Sequence, residues 1–394
     1  MNILWIGSLY WLKPDGRYVF NPKEASSVSA SAFSQAIIEG LEQRGNRVTI
    51  LGTLNWGESK KMAWSHNNES KNVFLRGTPH KYINIWYKSI ILKKEIKKNK
   101  SVTDDVDVVL VYGTYLPYVN CACEIKRLNP KIKIVLICPD LSEFMDPALK
   151  RKPIKRFFKS FLVRSLRKKY YHFDGFITFS PKMIERLNPT AKNITVEGVY
   201  NDANIIIDDN IKKTNCVLYA GTLSSNFGIQ NLIDAFELLK NDDISLHIYG
   251  SGELESFIKQ KASELDNVFF GGLINRSDLF VKYREACLLI NVRNPLDDYT
   301  KYSFPSKTFE YLASGTPFMT TKLEGVPVEY NDYLLLLDDN SPQTIASGIR
   351  NYLKMTQEER NQIGSKGRAF VISKKNKVVQ SEKIETFLKT IIEN

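Results

Sequence analysis

The strongest constraint on the fold is an alternation that runs almost the whole length of the chain. Short runs rich in Val, Ile, Leu and aromatic residues are separated by stretches whose apolar residues recur at helical spacing. In the first half the strand-like runs are 2–7 (NILWIG), 47–52 (RVTILG), 72–76, 106–112 (VDVVLVY), 132–138 (IKIVLIC), 174–179 (DGFITF) and 194–199. Helical patterns lie between them, notably at 28–43 and 151–171. The second half repeats the scheme with 216–222 (CVLYAGT), 245–252 (SLHIYGSG), 267–272 (NVFFGG), 287–292 (CLLINV) and 317–321 (PFMTT), and with helices at 229–240, 253–264 and 276–285. Runs that are apolar throughout call for strands buried on both faces, hence parallel sheets covered by helices. Two such arrays in 394 residues predict an α/β chain of two doubly wound, Rossmann-like domains, 1–203 and 212–372, facing each other across a cleft. Residues 201–213 read as the join, and 373–394 as a helix packing back towards the first domain. Ligands in such sheets sit beyond the carboxyl ends of the strands.

Charge is divided unevenly. Residues 1–205 hold 33 Lys and Arg against 18 Asp and Glu, a balance of +15, whereas 206–394 hold 22 against 25, a balance of −3. The excess is concentrated in 150–169 (KRKPIKRFFKSFLVRSLRKK), ten basic residues and no acid with phenylalanines interleaved. A second basic stretch, 81–100, carries Trp86 and Tyr87. Basic amphipathic segments of this kind suit an anionic membrane surface, with Lys155, Arg156, Phe157, Phe161, Arg164 and Lys168 facing it. The plainer alternative is that the apolar stripes dock on the core and the lysines are solvated. No nucleic-acid recognition motif accompanies the charge, so no nucleic-acid partner is expected. No run approaches the ~20 apolar residues needed to span a bilayer, and the chain opens on a strand without a signal-peptide pattern. The expected location is cytoplasmic, peripheral to the inner face of the membrane. Five cysteines, Cys121, Cys123, Cys138, Cys216 and Cys287, show no CxxC or zinc spacing and read as buried free thiols.

Neither half holds GxGxxG or GxxxxGK[ST], so the common dinucleotide and P-loop signatures are absent. The first strand-like run instead leads through Ser8 into a loop of about twenty residues holding Glu24, Ser26, Ser27 and Ser29, long enough to suggest a substrate-contacting segment, the plainer alternative being a surface excursion. In the second half Gly221-Thr222, Gly250-Ser251-Gly252 and Gly271-Gly272 end successive strands, where glycine lets a ligand approach the backbone. Helical spacing in KYSFPSKTFEYLASGTP (301–317) puts Ser306, Lys307, Glu310, Tyr311 and Ser314 on one side. Thr308, Phe309, Leu312 and Ala313 fall on the other.

The segments LYAGTLSSNFGIQNLIDAF, LHIYGSGELESFI, NVFFGGLINRSDLFVKYREACLLINV and YSFPSKTFEYLASGTPFMTT come in the order and spacing of bacterial glycosyltransferases resembling family 4. The resemblance is close over the second half and rests mainly on architecture over the first. It implies the two-Rossmann GT-B fold and transfer of a sugar, with no metal or other cofactor, from a nucleoside diphosphate donor, most readily a UDP-sugar. It places Glu310, eight residues before Phe318, on the ribose hydroxyls, a pairing that suits a carboxylate because it accepts two hydrogen bonds from a vicinal diol. Lys307 then lies at the diphosphate, the plainer alternative being an i,i+3 ion pair with Glu310. The donor side also takes in Gly221, Thr222, Gly250, Gly252, Gly272, Leu273 and Ser306.

The sequence departs from the family at three places. Tyr302 stands where the first glutamate of an E-x7-E pair is due, with Asp298 the nearest carboxylate. Thr222 and Phe227 replace the two cations of the turn after the first strand of this half. Arg293 and Lys307 are the nearest replacement cations, unless Asp297 or Asp298 claims Arg293. In the first half Asp140, in IVLICPDLSEFMD, ends a strand where relatives use a histidine, and is a candidate base or acceptor-orienting group, or a helix cap. Together these features predict a glycosyltransferase acting on a lipid-linked saccharide in capsule, exopolysaccharide or cell-surface glycan synthesis. A non-catalytic partner of such an enzyme and a nucleotide-sugar epimerase are the alternatives.

Overall fold

A computed structural model describes residues 1–9, 11, 28–54, 61–64, 72–78, 83–144, 153–200 and 211–393. Within these, the chain forms two compact units: Met1–Val199 together with Lys377–Asn394, and Tyr200–Asn376.

The first unit is built on strands β1 (Asn2–Ile6), β2 (Arg47–Leu54), β3 (Lys61–Trp64), β4 (Asn72–Arg76), β5 (Val108–Tyr112), β6 (Lys133–Cys138), β7 (Gly175–Thr178) and β8 (Lys192–Thr195). They make one sheet in the order β3-β4-β2-β1-β5-β6-β7-β8. All pairings are parallel except β3 with β4, an antiparallel edge that period reading did not anticipate. The run expected at 194–199 is instead the short outer strand β8. The helices are α1 (Val28–Gln43), α2 (Asn84–Lys98), α3 (Leu116–Leu128), α4 (Pro153–Tyr170) and the single turn α5 (Ile184–Leu187). Apolar side chains line both faces of β1, β5 and β6, so these strands sit at the centre of the core.

The second unit holds β9 (Thr214–Thr222), β10 (Ser245–Ser251), β11 (Val268–Gly272), β12 (Ala286–Asn291), β13 (Phe318–Thr321) and β14 (Leu335–Leu337). They form a wholly parallel sheet in the order β11-β10-β9-β12-β13-β14. Its helices are α6 (Ile229–Leu238), α7 (Glu255–Glu264), α8 (Arg276–Glu285), α9 (Lys307–Ala313), α10 (Pro342–Leu353) and α11 (Gln357–Lys374). One face carries α6 against α10, the other α9 against α11, and each face has its own apolar cluster. A last helix, α12 (Lys377–Ile392), returns to the first unit and packs on α1. Ile384, Phe387, Leu388 and Ile391 from it are buried in that unit's core.

In each sheet the parallel strands reverse their order once, at β1/β5 and at β9/β12. In doubly wound sheets the crevice beyond such a reversal is where ligands bind. Two Rossmann-like domains in succession are the GT-B fold.

Candidate functional site

Of the segment 301–317 read at helical spacing, Lys307–Ala313 forms the α-helix, flanked by Ser306 and Ser314. A 3-10 turn, Asp298–Tyr302, precedes the FPS stretch, and α9 has only seven residues. So short a helix contributes little macrodipole, and any anion near Lys307 relies on the ammonium itself. Two residues assigned by spacing to the polar side are in fact buried, Tyr311 at 0% and Ser314 at 4% exposure. The Tyr311 hydroxyl donates to the Ala220 carbonyl (3.1 Å) and accepts from the Ala220 N–H (2.8 Å), bolting α9 onto β9. Its ring packs edge-on against Tyr283 and Phe318, both at 5.0 Å. The helix is thus held on two sides, and Glu310 is positioned by the residue that follows it.

Glu310 is half-buried and lies at the centre of a small polar cluster. The Lys307 ammonium donates to its Oε2 at 2.7 Å, and the Arg276 guanidinium, from the first turn of α8, stands 3.3 Å from Oε1. The Tyr283 hydroxyl donates to Oε2 at 3.4 Å. Burial, with Tyr311 and Glu310 beside it, pushes the Tyr283 phenol well above its ordinary value, so it stays a donor. Lys307 and Glu310 therefore form the i,i+3 pair that was the plainer alternative, joined by a second cation. Neither Arg276 nor Tyr283 is marked by motif or spacing. The chain fold alone brings α8 beside α9.

At the β9/β12 reversal the turn after β9 meets the end of β12. The Arg293 guanidinium lies 4.5 Å from the centre of the Phe227 ring, a cation–π stack. The aromatic ring that replaces a cation in the turn thus carries the cation of a neighbouring strand end. Thr321 donates to the Arg293 carbonyl at 2.6 Å, tying the ends of β12 and β13 together. The neighbouring Tyr299 hydroxyl donates to the Asn226 carbonyl at 2.7 Å, so the 3-10 turn and the loop after β9 hold one another.

The strand-end glycines divide by cause. A Cβ on Gly250, whose φ is 138°, would stand 1.9 Å from the Gly221 carbonyl oxygen, and one on Gly252 would meet Leu223 O at 2.4 Å. These glycines are required by the chain's own backbone rather than by a ligand. Gly272 differs: its φ is 67° and nothing lies within 4 Å of a Cβ there, with exposed Leu273 next to it. Ser306 is exposed at the start of α9 and makes no capping hydrogen bond. Thr222 is exposed, and its carbonyl accepts from the Tyr219 hydroxyl. Tyr302 is buried at 8% exposure, while Asp298 is exposed.

Around the carboxyl ends of β1, β2, β5 and β6 the first unit gathers hydroxyls. Ser8 donates to the Thr53 carbonyl at 2.8 Å and its hydroxyl pairs with that of Tyr118, which also meets Thr53 Oγ1 at 2.8 Å. Thr114 and Ser142 hydroxyls lie 2.6 Å apart, and the Asp140 carbonyl accepts from Thr114. The Asp140 side chain is exposed just past β6 and caps no helix among the described residues. Glu24, Ser26 and Ser27 lie outside the described residues, as do the side chains of Ser29, Lys155 and Arg156. Phe157, Phe161, Arg164 and Lys168 are all exposed on α4, whereas Leu166 and Tyr170 dock. The apolar stripe of this helix is therefore split between core and solvent. All five cysteines are free, and four are buried. Burial pushes the Cys121 and Cys287 thiols up to about 12.

Residues 202–370, nearly all of the second unit, match the family model described as glycosyl transferases group 1. Among solved structures, sucrose-phosphate synthase from Thermosynechococcus elongatus superposes with a TM-score of 0.68 at 14% identity, covering 100% of both chains. The lipopolysaccharide outer core galactosyltransferase WaaB, in its apo form, gives 0.64 at 13% identity over 99% of both chains. Anabaena HepE, in complex with UDP, gives 0.62 at 14% identity, covering 99% of this chain and 100% of that one. These likenesses establish the GT-B fold. Among curated proteins no sequence matches.

Proposed function

We propose that the protein is a glycosyltransferase that moves a sugar from a nucleoside diphosphate sugar to a lipid-linked saccharide in the synthesis of a bacterial capsule, exopolysaccharide or other surface glycan. The observation that carries this reading is the Glu310 cluster, set on a short helix bolted to β9 inside the part of the chain that matches the group 1 family. In this reading the ribose diol donates hydrogen bonds to Glu310 and displaces cations from it. Lys307, with Arg293 at the β9/β12 reversal, then neutralises the diphosphate. A guanidinium presents paired donors to phosphate oxygens and an ammonium acts as a point charge. Gly272 and Leu273 offer an open, unobstructed strand end for the base. The UDP bound to HepE supports a uridine nucleotide as the first to try.

Asp140 is the proposed acceptor-orienting carboxylate or base, and Asp298 and Tyr302 the groups nearest the missing first glutamate. If transfer proceeds with retention, the departing diphosphate takes the acceptor proton and the protein needs no nucleophile. The side-chain cations neutralise the donor's charge in this scheme, and no metal is invoked. The enzyme works at the cytoplasmic face of the membrane, where a lipid-linked acceptor is found.

The test is a thermal-shift screen with nucleoside diphosphates and then nucleotide sugars. A uridine diphosphate or UDP-sugar should raise the melting temperature of the native protein, and Glu310→Ala should remove that shift and abolish transfer while the protein stays folded. Full activity in Glu310→Ala sinks the assignment. A second reading, a non-catalytic partner of a true transferase, is favoured by the burial of Tyr302 and by the phenylalanine at position 227. Stabilisation by none of the nucleotides would select it.

A further inference from the structure

The first two turns of helix α2 face apolar side chains outward. Its buried side includes Lys88, Ser89 and Glu95 at 4, 7 and 8% exposure, alongside Leu92 and Ile96. Its solvent side, by contrast, presents Ile83 at its N-cap and then Trp86, Tyr87 and Ile90, exposed at 58, 60, 41 and 64%. These four follow the i, i+3, i+4, i+7 spacing of one helical stripe. A folded protein in water gains nothing from this arrangement, since the apolar stripe is the one that burial would stabilise. Helix α4 adds Phe157, Phe158 and Phe161, exposed at 72, 67 and 60%.

Topology places the two patches together. Helices α2 and α4 both pack on α3, so the three cover one face of the first sheet, while α1 and α12 pair with each other. Each helix follows a parallel strand and runs back along it, which puts its N-terminus at the carboxyl edge of the sheet. The exposed aromatics occupy the N-terminal halves of α2 and α4. Both patches therefore project at the same edge, the one that carries Ser8, Thr114 and Asp140. Behind the apolar tips come cations: Lys93, Lys94, Lys97 and Lys98 on α2, and Arg164, Arg167, Lys168 and Lys169 on α4. Helix α4 contains no acidic residue.

We propose that the exposed stretches 83–90 of α2 and 157–161 of α4 are a paired insertion surface that enters an anionic lipid bilayer near the carboxyl rim of the first sheet. Apolar tips backed by a band of lysine and arginine match the layering of a leaflet, with acyl boundary first and anionic headgroups next, and Trp and Tyr favour that boundary. A protein partner or a second copy would be served by the apolar stripes alone, without the cationic band behind them. The inference rests on the membrane-surface reading above and specifies it: α2, through its outward apolar face, is an inserting element in its own right.

The test uses the full chain, with vesicles of phosphatidylglycerol and phosphatidylcholine in equal parts and vesicles of phosphatidylcholine alone. The protein should co-sediment with the first and not the second. Ile83→Ser/Trp86→Ser/Tyr87→Ser/Ile90→Ser and, separately, Phe157→Ser/Phe158→Ser/Phe161→Ser should each weaken binding by about tenfold or more. These residues are exposed, so both variants should keep the wild-type melting temperature and nucleotide-induced shift. Lipids brominated near the headgroup should quench Trp86 fluorescence, read as the difference between wild type and Trp86→Phe. Wild-type vesicle binding by the α2 variant, equal binding to neutral vesicles, or a dimer that the α2 variant dissolves would each overturn the proposal. Loss of the nucleotide shift in the wild type would instead count against the donor reading and leave the vesicle result standing.

Discussion

Glu310 is held by two cations and a phenol, and that fixes what single substitutions at the cluster should do. The pair with Lys307 is partly exposed, and exposed ion pairs contribute roughly 0–1 kcal/mol. Lys307→Ala should therefore barely move the melting temperature. It should weaken a nucleoside diphosphate about tenfold and the corresponding nucleoside much less, because the ammonium is assigned to phosphate. Calorimetric titration with both ligands checks this, and an equal loss for both would place Lys307 elsewhere. The two residues of this cluster visible in the sequence, Lys307 and Glu310, were visible because FPSKxxE is a short local pattern. Arg276 and Tyr283 come from another helix, and no pattern in the chain ties them to position 310. Tyr311 was misplaced for a different reason: helical spacing assumes one buried face, and a seven-residue helix wedged between β9 and α11 has more than one.

Among the elements, α2 and α3 show how charge supports packing on the basic unit. Glu124 on α3 accepts from Arg127 of its own helix at 2.8 Å and pairs with Lys97 of α2 at 3.0 Å. Hydrogen bonds from Arg127 and Lys97 hold its carboxyl down at about 2. A depressed carboxyl pKa contributes stability that is present above the unfolded value and lost as pH falls through the folded one. Glu124→Gln should thus lower stability at pH 7 by roughly 0.5–1 kcal/mol. The gap to wild type should close between about pH 4.5 and about pH 2, followed by denaturant melts across that range. A gap that stays constant with pH would mean that the carboxylate charge plays no part. Element existence was largely legible in the sequence, since continuous apolar runs have few other uses. The antiparallel β3 and the three-residue β14 were not, because short edge strands owe their identity to a neighbour's hydrogen bonds.

Across the whole molecule the chain leaves the first unit at Val199 and returns to it at Lys377. Helix α12 places Ile384, Phe387, Leu388 and Ile391 in that unit's core, and Arg44 pairs with Glu385 across the contact. Ending the chain at Asn376 removes these side chains together, and each such loss costs about 2–5 kcal/mol in a packed core. Hydrogen exchange should then rise through α1, β7 and β8 while β9 to β13 keep their protection. Uniform exchange in both units, or none in either, would contradict this division. By itself the sequence determined two doubly wound sheets, the uneven charge and the local FPSKxxE pattern. All of these follow from periodicity and composition, which act between near neighbours. Only the tertiary structure decided that Arg276 and Tyr283 share Glu310, that Arg293 stacks on Phe227, and that α2 turns its apolar stripe outward. These depend on which helix lies beside which and how each is rotated, and that is settled by packing over long sequence distances.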